Sequence, residues 1–215
     1  MSLSSLYMMN ETEIENLANT LAENFFDDDL YCSVFRNEQK RSVALQHFFK
    51  HYIKLIKPYS TFVADSKDLN CVMIVFNSSI EEGTPYALRV FWMSVKLVFL
   101  LLRYRSWNII PHVVSGLDMF TSRWVKEFVI GDYYHLDFIF TKKDQRNKGL
   151  ASNLISHLVK EANNKQFDLT METHHEENLE LYEKLGFVLM SKMSHEDYKV
   201  TQYNLLLKYK RGNNS

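Results

Sequence analysis

The stretch YYHLDFIFTKKDQRNKGLA, Tyr133 to Ala151, decides how this chain folds. It opens with Tyr133 to Thr141, aromatic and apolar apart from His135 and Asp137, which reads as a strand. Lys142, Lys143, Arg146 and Lys148 then crowd into a turn against one acid, Asp144. A helix follows, because Leu150, Leu154, Ile155, Leu158 and Val159 keep helical spacing across Asn147 to Asn163. A helix N-terminus offers unpaired N–H groups and the positive end of the helix dipole. Beside several cations such an end suits a phosphate. Gly149 lets an anion reach backbone that a Cβ would keep at a distance. A solvated basic turn that needs glycine for its geometry is the plain alternative.

Downstream, Phe167 to Thr173 reads as a strand and Glu177 to Leu185 as a short helix, stopped by Gly186. Phe187 to Met193 and Lys199 to Lys208 read as two strands that can pair antiparallel. Upstream, Ile14, Leu17, Leu21 and Phe25 predict a helix over Glu11 to Phe26, capped by Asn10 or Thr12. Asp27, Asp28 and Asp29 interrupt it; they are solvated acids or a lure for a cationic acceptor at a pocket mouth. A second helix spans Asn37 to Ile56 and ends at Pro58. Tyr59 to Asp65 and Cys71 to Asn77 predict a hairpin. Helix is expected over Tyr86 to Tyr104 and Leu117 to Val129, with a loop at Pro111 to Gly116. This is an α/β order. Without repeats or linkers, residues 1–215 read as a single domain.

Composition narrows the function classes. Of 215 residues, 46% are hydrophobic and 24% charged, which excludes wholesale disorder. A net charge of -1 argues against a nucleic-acid coat. Cys32 and Cys71 have no metal-ligand spacing and read as reduced core thiols of a cytoplasmic protein. Leu88 to Leu102, LRVFWMSVKLVFLLL, is too short to span a membrane and carries Arg89 and Lys96. It reads as a buried helix, or as the apolar wall of a pocket. His174 and His175 are adjacent, so in a strand they point to opposite faces and do not share a metal. No metal is expected.

Two blocks together carry a resemblance. Arg146-Asn147-Lys148-Gly149-Leu150-Ala151 fits R/Q-x-x-G-x-G/A, after a strand and opening a helix. Phe167 to Phe187, FDLTMETHHEENLELYEKLGF, runs a strand into a helix that sets Asn178 and Tyr182 four apart on one face. In this order the blocks resemble the GNAT superfamily of acetyl-CoA-dependent N-acetyltransferases. The likeness covers Tyr133 to Lys208 well, and residues 1–130 only in outline, as a variable acceptor-side half ahead of an acetyl-CoA half at 131–210.

The resemblance implies an α/β fold with a central mixed, largely antiparallel sheet, splayed at the acetyl-CoA site and flanked by helices. It implies that backbone of Ile139, Phe140 and Thr141 pairs with the pantetheine arm. The diphosphate falls to the loop Gln145, Arg146, Asn147, Lys148, Gly149, Leu150 and Ala151, and the CoA arm to Asn178. Tyr182 becomes the acid that protonates the departing thiolate. The acceptor amine must lose a proton, and Glu172 is the expected base, with Asp137 the other candidate, directly or through a water. Strand alternation puts Asp137 on the side of Ile139 and Thr141, opposite Phe138 and Phe140. The expected acceptor is a primary amine, chosen as a small molecule, with no nucleic acid or membrane partner; a homodimer is compatible. A non-catalytic acyl-CoA-binding regulatory module is the alternative.

Overall fold

The computed structural model describes residues 3–80, 124–195 and 199–209, with Val95, Phe99 and Ser122 between them. Most of the apolar segment at 88–102, the helix expected over 86–104 and the loop at 111–116 lie outside the described residues.

Asn10 starts helix α1 (Glu11–Asn24). Its side chain accepts from the Glu13 N–H while the Glu13 carboxylate accepts from the Asn10 N–H, a reciprocal capping box. The acid triplet does more than end α1. The Asp28 carboxylate accepts from the Leu30 and Tyr31 amides and starts a short helix, α2 (Asp29–Val34), which the sequence reading takes as an interruption. Helix α3 (Glu38–Ile56) is capped by Asn37 and stops where Pro58 enters a 3₁₀ turn.

Strand β1 is the two-residue Tyr7–Met8; β2 (Ser60–Ala64) and β3 (Cys71–Asn77) form the expected hairpin. After the short helix α4 (Val125–Phe128) come β4 (Tyr133–Thr141), α5 (Leu150–Lys165), β5 (Asp168–Thr173), α6 (Leu179–Lys184), β6 (Val188–His195) and β7 (Val200–Leu207). They build one sheet in the order β1-β2-β3-β4-β5-β7-β6, in which only β4 and β5 run parallel. Helix α5 connects those two strands, as a parallel crossover requires.

Two apolar layers sandwich the sheet. Leu17, Leu21, Leu45 and Phe49 of α1 and α3 bury against Phe62, Ile74 and Phe140 on one face. Leu154, Ile155 and Leu158 of α5 bury against Met73, Leu169 and Leu205 on the other. Full burial of each such side chain is worth about 1.5–3 kcal/mol, which fixes the helices and hence the sheet edges between them.

Two irregularities in β4 position the site. The β4–β5 ladder pairs Tyr133 with Asp168 through Leu136 with Met171 and then ends, so among the described residues Asp137 to Thr141 have no strand on that side. The sheet is open there. On its other side β4 follows β3, but Ile74 faces Phe138 while Val75 faces Leu136, leaving Asp137 as an extra, bulged residue. The bulge overturns the alternation read from sequence. Asp137 turns to the same face as Phe138, where Tyr52 of α3 meets both; Ile139 packs instead with the α5 layer.

Candidate active site

The open end of β4 forms one wall of a cavity of about 200 Å³. Asp137, Phe138 and Ile139 come from β4, Glu172 and Thr173 from β5, and Asn178 and Tyr182 from the segment after it. The opposite wall comes from the helical N-terminal part, through Phe25, Asp28, Tyr31, Phe48 and Tyr52. Thus Asp137, Ile139, Glu172, Asn178 and Tyr182, all named from sequence, converge on one space.

Asp137 sits deep in this space. Its Oδ1 accepts from the Tyr52 hydroxyl at 2.6 Å. Burial raises its carboxyl above the ordinary carboxylate range; His135 and the Tyr52 bond pull it back, and nearby Glu172 raises it further. Glu172 Oε1 accepts from the Trp124 indole N–H at 2.6 Å. Tyr52 and Trp124 are neighbours of these two candidate acids that the sequence reading missed. Tyr52 stands among the apolar residues of a helix stripe, and nothing local marks it as facing an acid 85 positions away.

Asn178 lies in a 3₁₀ turn (Glu176–Asn178) that leads into α6, and Tyr182 one turn further on, 7% exposed. Burial pushes the Tyr182 phenol up to about 12. The Tyr182 ring meets Phe187 edge-on at 6.2 Å, across the turn closed by Gly186 at φ 97°. The left-handed glycine ends α6 as the sequence suggests, and the turn holds the phenol toward the cavity.

The loop after β4 lies beyond the cavity. Gln145 is half-buried, and Arg146, Asn147, Lys148 and Gly149 are exposed. Asn147 and Gly149 have φ of 62° and 75°, and no side chain caps the first turn of α5. Apart from its chain neighbours, no atom of the described residues lies within 4 Å of where a Gly149 Cβ would point. The open space and uncapped amides fit a diphosphate. Leu150 and Ala151 begin the helix, half-buried. Phe140 buries its ring with the α1–α3 layer, so only its backbone can serve a ligand, and the Thr141 hydroxyl points to Cys71 Sγ at 3.3 Å. Both cysteines are free thiols, Cys71 buried and Cys32 half-buried.

His175 closes the rim. Its Nε2 is 3.1 Å from Asp28 Oδ2 and its Nδ1 3.3 Å from Glu177 Oε1, so it ties the β5 side to the α2 cap. The bond to Asp28 raises the imidazolium above its ordinary 6.5, against an opposing effect of burial. With the folded pKa raised, the tie contributes fully below the unfolded value of about 6.5 and is lost as pH rises through the folded one. His175→Ala should therefore cost about 0.5–1 kcal/mol at pH 6 and less at pH 9. Urea melts at the two pH values check this; equal costs mean the tie carries no charge-dependent energy. Among the described residues no cluster of three or more His, Cys, Asp or Glu could hold a metal, and no helix could cross a membrane.

The comparisons with known proteins agree with this geometry. The family model described as an acetyltransferase (GNAT) domain matches residues 119–189, from before β4 through β6's first residues. No curated protein matches the chain. Solved structures share the fold over nearly the whole chain. A histone acetyltransferase HPA2 and related acetyltransferase from Corynebacterium glutamicum is 14% identical, with TM-score 0.64 over 95% of each chain. The polyamine N-acetyltransferase of Drosophila melanogaster, which forms N-acetylagmatine, is 11% identical, with TM-score 0.61 over 94% of this chain and 98% of that one. Arylalkylamine N-acetyltransferase 2 of Aedes aegypti is 14% identical, with TM-score 0.59 over 94% and 96%. Residues 119–189 are thus similar to a GNAT acetyltransferase domain, and the chain shares with these enzymes the fold of a mixed seven-stranded sheet flanked by helices.

Proposed function

We propose that this protein is a single-domain N-acetyltransferase that moves an acetyl group from acetyl-CoA to a primary amine of a small molecule by direct attack. The observation that carries this is the convergence, at the open end of β4, of a deep acid, a buried phenol and an unpaired strand edge. Acetyl-CoA would supply a thioester carbon open to an amine. The β4 edge from Ile139 to Thr141 and Asn178 would bind its arm. The loop amides from Gln145 to Ala151, with Arg146 and Lys148, would hold its diphosphate, beside an open Gly149.

Asp137 takes the proton of the incoming ammonium, so that nitrogen can form its bond to the acetyl carbon. The carbon–sulfur bond breaks, Tyr182 gives its proton to the sulfur, and the newly bonded nitrogen sheds its second proton through water to the phenolate so left, which restores Tyr182. Asp137 is preferred over Glu172 as the base because it lies deep in the cavity and burial raises its carboxyl, which makes it a stronger proton acceptor than an ordinary carboxylate. Enzymes of the same fold include ones named for polyamines and arylalkylamines, in keeping with a small amine. A cavity of about 200 Å³ also favours one, since drug-sized ligands use ~300–1,000 Å³. The free thiols suit a reducing compartment such as the cytoplasm.

Calorimetric titration with acetyl-CoA tests the donor site. Gly149→Glu should weaken binding by at least ~30-fold, by filling the diphosphate space with an anion. Gly149→Ala carries the same backbone strain without the charge and should weaken it less. Equal loss in both variants assigns the effect to strain alone. Thiol release with a panel of small amines tests turnover. Binding without release on any amine would leave the regulatory acyl-CoA-binding module.

A further inference from the structure

Three aromatic rings, Phe25, Phe49 and Tyr52, surround Phe138 at 5.5, 5.6 and 5.5 Å. All but Phe49 also line the cavity, so its walls suit a methylene chain. The polar groups among them are one-sided. Asp28, Asp137 and Glu172 face the cavity, and among its described lining residues there is no lysine or arginine. Of the lining histidines, His175 is already matched to Asp28, and His135 offsets part of the rise in the Asp137 pKa.

The three acids are not equivalent. Asp28 is used up, since its oxygens accept from two α2 amides and from His175. Asp137 and Glu172 each accept one bond, on Oδ1 from Tyr52 and on Oε1 from Trp124. Among the described residues the second oxygen of each accepts nothing. Both donors are neutral, so neither carboxylate has its charge offset by its partner. The two acids also feel each other, since Glu172 adds to the rise of the Asp137 pKa. In a concave, poorly screened site such a pair concentrates cations, and a cation between them relieves the repulsion.

We propose that the acceptor is a short diamine or similar dication, whose reacting nitrogen goes to Asp137 while its distal cation is held by Glu172. This rests on the acetyltransferase reading and adds the substrate class. The aromatic walls enclose the chain between the two nitrogens, with cation–π attraction at either end. Glu172 is here a binding residue: the indole N–H fixes one oxygen and leaves the other for the ligand. An anionic acceptor meets the repulsion of Asp137 and Glu172.

The test compares 1,4-diaminobutane with 1-aminopentane, which has a methyl where the diamine has its second nitrogen. Binding is read by calorimetry and turnover by thiol release. Wild type should use the diamine with at least ~30-fold higher kcat/KM, mostly through KM, because the distal contact persists from ground state to transition state. Glu172→Gln should cut that preference by at least ~10-fold. Its melting temperature and acetyl-CoA titration show whether it is folded. Trp124→Phe keeps the carboxylate and should retain most of the diamine preference. Equal use of the two amines by wild type, or an undiminished preference in a folded Glu172→Gln, overturns the proposal. So does a preference for a peptide amine or for 2-phenylethylamine. A diamine bound in preference and lost in Glu172→Gln, yet never acetylated, upholds the site and overturns the acetyltransferase reading instead.

Discussion

Replacing Asp137 by Asn is expected to lower kcat with a small amine by about 10²–10⁴-fold, the usual range for a lost general base. The fold should be undisturbed. Asn keeps an oxygen for the Tyr52 hydroxyl and nearly the same volume among Phe138, Tyr52 and Ile139. What it cannot do is take the ammonium proton. The wild-type acid limb of kcat/KM should lie above the ordinary carboxylate range, because burial raises the Asp137 pKa; in the variant that limb should vanish. Stability supplies an independent reading. A carboxyl whose folded pKa exceeds its unfolded value of about 3.9 binds its proton more tightly in the folded state. Its contribution to stability is greatest at low pH and falls as pH rises through the interval between the two values. At pH 7 wild type bears more of the cost of the buried charge than at pH 4, and Asn bears none. The variant should melt at the same temperature as wild type or higher at pH 7, with the difference fading toward pH 4. A variant that retains activity within a few-fold would pass the base role to Glu172 or to a water.

That Asp137 faces Tyr52 was not legible in the sequence, for a definite reason. A strand's faces follow from period two, and the composition of Tyr133 to Thr141 gives the strand's limits to the residue. The bulge that flips Asp137 is a property of pairing with β3, whose register puts Ile74 beside Phe138 and Val75 beside Leu136. No local pattern encodes it. The same divide runs through the chain. Helix α3, the β2–β3 hairpin and the Gly186 turn are written in short-range signals: a cap, a proline, a glycine. Strand β1 has two residues and exists through its ladder to Val63 and Ala64. Helix α2 depends on one carboxylate accepting two amides, which a run of three acids does not reveal. Among the candidate residues, Asn178 and Tyr182 both line the cavity, and a motif in the sequence spaces them four apart. Tyr52 and Trp124 were not legible, since each reaches its acid only through the tertiary fold, from 85 and 48 positions away.

Tyr182→Phe carries the second large effect, a loss in kcat of about 10²–10³-fold at unchanged acetyl-CoA affinity. Phe preserves the edge-on packing with Phe187 and the burial of the ring, so stability should change by less than ~1 kcal/mol. A phenol pushed to about 12 is a weaker acid than a free one. Against an alkyl thiol near 8.5, proton transfer is uphill by about 3.5 pH units, roughly 5 kcal/mol. That comparison takes the thiolate in water. Here the sulfur would part in the same dry space that raises Tyr182, and burial disfavours a thiolate as it does a phenolate. Both pKa values rise together, and the gap that matters narrows. The high pKa has a use of its own, because it keeps the proton on Tyr182 at every pH an amine substrate needs. The kcat profile should then show no basic limb from Tyr182 below about pH 11. If Phe at position 182 leaves kcat within threefold of wild type, the proton reaches the sulfur from elsewhere, and the phenol is only a wall of the cavity. A basic limb that disappears in the variant would instead mean that the phenol ionises far below the value its burial imposes.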